Sequence, residues 1–287
     1  MKKRNGLTFP LQSRTFPKSR ISGISRPGLW KNRFSAPGRR RPFQPPPEQR
    51  TRDRSSVLRS AFTVATEKNV TLSLQEAARR IKDGGLLLYP TETFFGIGCR
   101  ADDDAAVHRV FRCKKRSLSM PLPVILDDES QLDLVAVPGS DLTGDIAALA
   151  RFWPGPLTLL LPAKDDLPEA LTGGTGKIAA RVSSHPAARA LAGRCGFPIV
   201  SSSANISGRA AVTRASELDP ELLQSLDPST DGILDEPPAP GGGEASTIVE
   251  PLGERRLRLL REGALPLSTL EQAGFTILTS SASEVHA

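Results

Sequence analysis

The sequence has few of the residues on which disulfide frameworks, zinc sites and histidine-based catalysis depend. Its 287 residues include three cysteines and three histidines. Cys99, Cys113 and Cys195 are far apart without Cys-x-x-Cys spacing, and the histidines form no His-Glu-x-x-His motif. These absences argue against a disulfide-stabilised secreted domain and against a resident metal ion. They indicate a reducing, cytoplasmic compartment.

Long hydrophobic runs are also missing. The longest apolar stretches, such as Leu86–Tyr89 and Leu157–Pro162, have the length of a strand. They fall well short of the roughly 18 residues of a membrane-spanning helix. The first residues contain no apolar core of a secretory signal either. The sequence therefore predicts neither a membrane span nor secretion.

Acidic residues are scarce at the amino terminus. Residues 1–60 contain sixteen Lys and Arg against two acids, whereas the remaining residues carry an excess of acids, although the whole chain has a formal charge of +7. The segment also holds eight prolines and has almost no apolar periodicity. We expect residues 1–65 to form a disordered basic extension, because they bury too little apolar surface to offset the entropy of ordering.

Four interpretations of this extension remain open. It has the Arg-rich, acid-poor composition of an organelle-targeting peptide, which is the alternative to a cytoplasmic location. It also has the charge of a tail that makes a weak contact with RNA through phosphate neutralisation. Further alternatives are a solvated, non-essential tail and an upstream stretch included by start-site choice.

The rest of the chain alternates between helical and strand patterns. Helices are predicted after the Ser73-x-x-Glu76 capping box and over 103–115, 141–152, 186–194, 215–225 and about 266–273. Strands are predicted over 86–90, 122–126, 157–161, 178–182, 198–202, 246–250 and 256–261. This order favours an α/β or α+β fold with a mixed sheet.

Three polar segments follow predicted strands or a glycine loop, where ligands collect in open α/β sheets. They are Thr91–Thr93, Ser201–Asn205 and Glu244–Thr247. Their hydroxyl and amide groups suit a small polar ligand, although each segment taken singly is also typical of a turn or helix cap.

Basic residues suggest a second kind of contact. Lys114-x-Arg116 suits a polyphosphate, with the alternative of bases that stabilise a helix carboxyl end. Arg181 and Arg261 stand alone on apolar strands, where each either extends to solvent or meets an anion. Because no paired nucleophile and base is evident, the residues favour positioning and charge stabilisation over covalent catalysis.

Taken together, these segments resemble the motifs of the YrdC/Sua5 family in order and spacing. They are Tyr89–Thr93, Gly96–Cys99, Lys114-x-Arg116, Trp153–Thr158, Arg181-Val182, Ser203–Gly208, Ser246–Val249 and Arg261-x-Gly263. The resemblance covers about residues 72–270 and is to the short, single-domain form. We therefore expect a catalytic domain over 72–270 and a short carboxyl-terminal tail over 271–287.

The resemblance implies a twisted mixed parallel and antiparallel sheet flanked by helices, with a large concave cavity. It also implies the synthesis of L-threonylcarbamoyladenylate, a nucleotidyl transfer. L-threonine, bicarbonate or CO2, and ATP with Mg2+ would give threonylcarbamoyl-AMP and pyrophosphate. A partner transferase would then pass the threonylcarbamoyl group to an adenosine of tRNA.

Particular residues carry over from the family motifs. Those expected to be catalytic are Lys114, Arg116, Ser203 and Asn205. Those expected to bind ATP are Lys114, Arg116, Asn205, Thr213 and Arg261. Those expected to bind threonine are Thr91, Thr93, Arg181, Ser203 and Ser246, with Arg181 on the carboxylate. The sequence departs from the usual family pattern at Ser117, Met120 and Ile125, which concerns the details of ATP and threonine binding.

The alternative is a YciO-like factor that binds double-stranded or ribosomal RNA without efficient synthase activity. The basic extension would assist such a function, whereas the retained Ser203-x-Asn205 motif favours the enzyme. A carbamoyl-transfer domain of the hydrogenase-maturation type is a third alternative. It is disfavoured because the modules that accompany it are not seen in this sequence.

Overall fold

A computed structural model of the chain describes residues 71–279. Seven α-helices lie in this range: α1 (Leu74–Lys82), α2 (Asp104–Lys114), α3 (Thr143–Leu149), α4 (Glu169–Thr172), α5 (Pro186–Cys195), α6 (Pro220–Gln224) and α7 (Leu267–Gln272). Short 3-10 turns cover Glu129–Leu134, Ser140–Leu142, Ala150–Phe152 and Ala215–Glu217. Within the described range, no helix has the length and apolar character that crossing a membrane requires.

Eleven strands in the described residues form two sheets. They are β1 (Leu87–Pro90), β2 (Phe95–Gly98), β3 (Val124–Leu126), β4 (Leu157–Pro162), β5 (Lys177–Val182), β6 (Ile199–Val200), β7 (Ser202–Ser203), β8 (Gly232–Ile233), β9 (Thr247–Pro251), β10 (Arg256–Arg261) and β11 (Thr276–Thr279). The smaller sheet has the order β7-β2-β1-β8 and the larger β11-β10-β9-β4-β5-β3-β6. Both sheets mix parallel and antiparallel pairs, which confirms the predicted mixed α/β architecture.

Two apolar cores hold these layers together. The larger core packs the inner faces of both sheets against α2 and lies around residues such as Leu88, Phe111 and Leu159. The smaller core packs α1 and α5 against residues of β1, β3 and β6, including Tyr89 and Ile125. Burial of this apolar surface is the main force that holds the strand ends in fixed positions.

Local capping sets the position of helix α2, which leads into the Lys-x-Arg motif. The carboxylate of Asp103 caps its first turn by accepting a hydrogen bond from the backbone N–H of Ala106 at 2.9 Å. The helix ends at Lys115, whose backbone is left-handed with φ of 51°. The chain therefore turns sharply between Lys114 and Arg116, so that the two bases reach different partners.

Strand β2 was not predicted, because its two glycines weaken the strand pattern. A Cβ added at Gly96 would meet the Tyr89 ring at 3.5 Å, and one added at Gly98 would meet it at 3.2 Å. The bare backbone makes room for this ring, and the Tyr89 hydroxyl donates a hydrogen bond to the carbonyl of Val200 at 2.7 Å. The glycines thus let β1, β2 and the strand that carries Val200 approach closely.

Other elements differ from their predicted bounds. The predicted helix over 215–225 is divided, because Asp219 caps a new helix that begins at Pro220. The predicted strand over 198–202 is split into β6 and β7, which belong to different sheets. Within the segment 271–287 that was predicted as a short tail, strand β11 pairs in parallel with β10 and extends the larger sheet beyond residue 270. The predicted disordered extension over 1–65 lies outside the described residues.

We expect Gly98→Ala to lower the free energy of unfolding by about 3 kcal/mol or more. An added Cβ would lie 1.8 Å from the carbonyl oxygen of Val200, which is backbone and has little freedom to move. Chemical denaturation measures this effect. Gly144→Ala is the matched control, because a Cβ there meets nothing within 4 Å on helix α3, and we expect a gain of about 0.5–1 kcal/mol. Equal stability of the Gly98→Ala and wild-type proteins would contradict the close approach.

Candidate active site

An inner cavity of about 190 Å³ lies where the ends of β1, β5, β7 and β9 meet. Seven of the residues predicted to bind substrates line it: Thr91, Thr93, Arg116, Arg181, Ser203, Ser246 and Arg261. The remaining wall consists of Phe94, Phe95, Gly96, Pro123, Ser201, Ser202 and Ala245. Hydroxyl groups and three guanidinium groups dominate this lining, so the cavity suits a small ligand that carries negative charge.

A larger, outer cavity of about 670 Å³ adjoins the inner one. The two share Arg116, Pro123, Ser246 and Arg261 as lining residues. The outer cavity is bounded by a face of strands β4, β5, β9 and β10 with apolar residues such as Leu160. A small polar chamber thus adjoins a larger chamber with an apolar wall, and two arginines line both.

Arg181 is held at the end of strand β5 by an acid from the loop after β1. Its Nη2 lies 3.3 Å from Oε1 of Glu92, while its Nε is buried without a partner among the described residues. The other carboxylate oxygen of Glu92 accepts a hydrogen bond from the hydroxyl of Ser183. The guanidinium therefore keeps donor capacity for a ligand in the inner cavity.

Arg261 and Ser246 form a second rigid element of the wall. Nε and Nη2 of Arg261 donate to the carbonyl oxygen of Ser246 at 3.0 and 2.8 Å. The hydroxyl of Ser246 lies 2.8 Å from that of Thr158 on strand β4. Gly263 permits this arrangement, since a Cβ there would lie 2.0 Å from the carbonyl of Ala245.

The loop after β1 presents two threonines. The hydroxyl of Thr91 donates to the carbonyl of Phe94 at 2.7 Å and lies 3.5 Å from the hydroxyl of Thr93. The backbone of Gly242 donates to the carbonyl of Thr93 at 2.8 Å, so the glycine loop fastens this segment. The Thr91 side chain thus stabilises a turn, which was the alternative role predicted for this segment, and it also lines the cavity.

Lys114 lies behind the cavity wall. Its ammonium group donates hydrogen bonds to the carbonyls of Ser203 and Asn205, the latter at 2.7 Å, and its side chain is buried. The Nδ2 of Asn205 donates to the carbonyl of Arg209 at 2.6 Å, whereas its Oδ1 is buried without a partner in the described range. The four predicted catalytic residues are therefore near one another, but Lys114 holds the Ser203–Asn205 segment and lines neither cavity.

Three bases of the site have lowered pKa values. Burial lowers the pKa of Lys114 to about 8, with a smaller effect of the nearby charge of Arg116. Burial also lowers the pKa of Arg116, and burial followed by the charge of Arg181 lowers that of Arg261. The site thus concentrates positive charge that an anionic ligand would relieve.

The pKa of Lys114 gives a stability prediction. The unfolded amine titrates near 10.5 and the folded one near 8, so below pH 8 both states are charged and burial disfavours the folded state fully. Between these values the folded protein loses its proton first, and the contribution of Lys114 to the free energy of unfolding rises with pH. Denaturation of the wild type and Lys114→Met should therefore show a difference that grows in favour of the wild type from pH 8 to 10. A difference that stays constant over this range would contradict it.

Some predicted residues lie away from the two cavities. Thr213 lines neither cavity, although its methyl group would lie 3.4 Å from a Cβ added at Gly242. Ile125 is buried in the smaller core, whereas Met120 is half exposed and lines the outer cavity. Ser117 is exposed with its hydroxyl 2.8 Å from that of Ser119. Of these departures from the family pattern, only Met120 borders the ligand space.

Sequence reasoning missed Glu92, Ser183 and Thr158 as parts of the site. Glu92 stands within the quoted Tyr89–Thr93 motif, but the partner of its carboxylate is far away in sequence. Ser183 follows directly after Arg181-Val182, and Thr158 ends the quoted Trp153–Thr158 motif. The sequence signal for Glu92 was its position between Thr91 and Thr93, two residues predicted to bind threonine.

Comparison with known proteins defines the class to which this fold and site belong. The model of the Sua5/YciO/YrdC family, described as telomere recombination, matches residues 79–263. A threonylcarbamoyl-AMP synthase from Stenotrophomonas maltophilia is 38% identical over 184 residues, which cover 63% of this chain and 91% of the relative. The chain belongs to the Sua5/YciO/YrdC family.

The chain is also similar to relatives with solved structures. The structure of Pyrococcus abyssi Sua5 complexed with L-threonine has a TM-score of 0.62 and 33% identity, and the match covers 71% of this chain and 58% of that one. The chain also spans 55% of the length of the P. abyssi threonylcarbamoyl-AMP synthase, at 36% identity and over 68% of this chain. Escherichia coli YciO, at 20% identity and a TM-score of 0.57, shares the fold.

Proposed function

We propose that this protein is a threonylcarbamoyl-AMP synthase. It converts L-threonine, bicarbonate or CO2, and ATP into threonylcarbamoyl-AMP and pyrophosphate. The observation that carries the proposal is the inner cavity, in which Arg181, the four other predicted threonine contacts and Arg116 line one small space that adjoins a larger one. Relatives named for this activity and the relative solved with L-threonine support it.

The inner cavity has the chemistry to hold threonine. Arg181 supplies a buried fork for the α-carboxylate, and the hydroxyls of Thr93, Ser203 and Ser246 offer donors and acceptors for the polar groups. The threonine amine adds to CO2 with loss of a proton and gives a carbamate. This anion then lies beside the guanidinium groups of Arg116 and Arg261.

The second step is a displacement at phosphorus. A carbamate oxygen attacks the α-phosphorus of ATP, a P–O bond forms, and the bond to pyrophosphate breaks. The transition state places negative charge on the phosphoryl oxygens, which fixed guanidinium groups stabilise. Arg116 and Arg261 border both cavities and stand where the carbamate meets the triphosphate.

Lys114 and Asn205 act through the wall of the cavity. Because Lys114 binds the carbonyls of Ser203 and Asn205, it fixes the segment that presents the Ser203 hydroxyl. Its charge also adds to the potential at Arg116. Oδ1 of Asn205 is buried without a partner in the described range, and Thr213 lies beside Gly242 of the glycine loop.

The residues present do not build a metal site of their own. In residues 71–279, no group of three or more His, Cys, Asp and Glu is placed to hold a metal ion. Glu92, which lines neither cavity, already pairs with Arg181 and Ser183. We therefore expect any Mg2+ to arrive with the phosphates of ATP, and no protein step depends on it.

Other expectations stay proposals. They are the transfer of the product to a tRNA threonylcarbamoyl transferase, a weak RNA contact through residues 1–65, and a cytoplasmic location with organelle targeting as the alternative. The YciO-like RNA-binding function was the other candidate. The likeness to E. coli YciO extends to the fold alone, and the names of the more similar relatives support the synthase.

Release of pyrophosphate from ATP tests the function. We expect release by the full chain that requires both L-threonine and bicarbonate, with threonylcarbamoyl-AMP detected by mass spectrometry. Serine and threonine amide serve as substrate controls. ATP turnover that is indifferent to threonine would contradict the synthase and leave the YciO-like alternative.

A further inference from the structure

Glu92 is a buried acid that faces a cavity arginine and does not line the cavity itself. Its side chain is 13% exposed and that of Arg181 is 11% exposed. One carboxylate oxygen lies 3.3 Å from Nη2 of Arg181, and the other accepts the Ser183 hydroxyl. Loss of this acid would leave the guanidinium of Arg181 without its counter-charge.

The acid is braced from several directions. The backbone carbonyl of Glu92 accepts a hydrogen bond from Gly241 at 3.1 Å. The hydroxyl oxygen of Ser183 also accepts a hydrogen bond from the backbone N–H of His185. The Nε2 atom of His185 lies 2.7 Å from the carbonyl oxygen of Pro238. The carboxylate is therefore fixed relative to strand β5, helix α5 and the glycine loop.

The fixed carboxylate also determines how the guanidinium is presented. Oε1 of Glu92 forms an ion pair with Nη2 of Arg181 without a hydrogen bond, while Nε of Arg181 is buried without a partner in the described range. A guanidinium is planar, so an anchor at one edge sets the orientation of its remaining donors. Arg116 and Arg261 carry like charges in the same cavity, and Glu92 offsets the repulsion that would displace Arg181.

We propose that Glu92 is a positioning residue of the threonine site. It orients the guanidinium of Arg181 for the α-carboxylate of the amino acid and does not itself contact the substrate. This inference rests on the proposed function for the identity of the ligand. Glu92 would thus influence threonine binding only through Arg181.

Glu92→Gln tests the inference, since it keeps the side-chain shape and removes the charge. We expect the Kd of threonine, measured by calorimetry on the full chain, to rise about tenfold, because the guanidinium loses the counter-charge that orients it. In the pyrophosphate assay, KM for threonine should rise similarly, while KM for ATP should stay within about twofold. Asp145→Asn is the matched control, because Asp145 is a buried acid of helix α3 that pairs with Arg255 and lines neither cavity.

A double-mutant cycle separates positioning from a general structural role. Arg181→Lys retains the charge but has no fork to orient. If Glu92 acts through Arg181, adding Glu92→Gln to Arg181→Lys should change the Kd of threonine by less than about twofold. The same tenfold loss in both backgrounds, or an unchanged Kd in Glu92→Gln alone, would overturn the inference.

The binding measurement also keeps the two proposals distinguishable. A wild-type chain that binds threonine but releases no pyrophosphate would contradict the synthase, and the cycle would still decide the role of Glu92. A wild-type chain that does not bind threonine would overturn both. Thermal unfolding of each variant shows whether a change in Kd arises from loss of folded protein.

Discussion

Replacing Arg116 with alanine is expected to lower kcat/KM for ATP by about a hundredfold or more, the loss typical of removing a fixed donor to a developing negative charge. Arg116 borders both the inner and the outer cavity, where the attacked phosphate would lie. Its pKa is lowered by burial, so its charge is poorly compensated in the free protein and is available to an anion. Initial rates of pyrophosphate release measure the effect.

Arg116 also has a structural role, and a second variant distinguishes this role from the binding of phosphate. Its Nε and Nη2 donate to the carbonyls of Met120 and Pro121 at 3.2 and 3.0 Å. Arg116→Lys keeps the charge without the planar fork, so an intermediate rate is expected if charge contributes beside geometry. Arg112→Ala removes an exposed arginine from helix α2, which precedes Arg116, and should leave the rate unchanged. Wild-type turnover by Arg116→Ala would contradict the phosphate role.

The order of elements could be predicted because hydrophobic periodicity and capping residues are local signals. Ser73 and Asp103 cap helices where the sequence indicated, and strands such as β4 and β5 begin within a residue of their predicted bounds. Strand β2 escaped prediction for a reason that is not local. Gly98 suits this strand because the backbone of Val200 and the ring of Tyr89 occupy the space beside it.

The site was predicted in composition but not in geometry. The Lys-x-Arg spacing did not reveal that Lys114 turns towards the carbonyls of Ser203 and Asn205, since these partners lie 89 and 91 residues further along the chain. The partnership of Glu92 with Arg181 joins two segments that meet only after the sheets assemble. Sequence motifs thus identified the residues at the cavity, whereas the residues that hold them required the fold.

Replacing Arg181 with lysine is expected to raise KM for threonine by about a hundredfold, in the range found when one partner of a buried, hydrogen-bonded charge pair is changed. The physical reason is the geometry of the contact. A guanidinium donates two parallel hydrogen bonds to a carboxylate, whereas an ammonium is a point charge on a flexible stem. Arg181→Lys keeps a cation opposite Glu92, so it tests the fork without leaving that acid uncompensated.

The choice of substrate makes this prediction specific to the carboxylate. The wild type should discriminate strongly against threonine amide, which has no charged oxygen pair for Arg181. In Arg181→Lys the loss should be large for threonine and small for the amide, so that the two substrates become more alike. Arg256→Ala is the control, because Arg256 is a half-exposed strand arginine paired with Glu254 and lines neither cavity. An equal rise in KM for threonine and for its amide would indicate that Arg181 only maintains the shape of the cavity. An unchanged KM would show that Arg181 does not bind threonine.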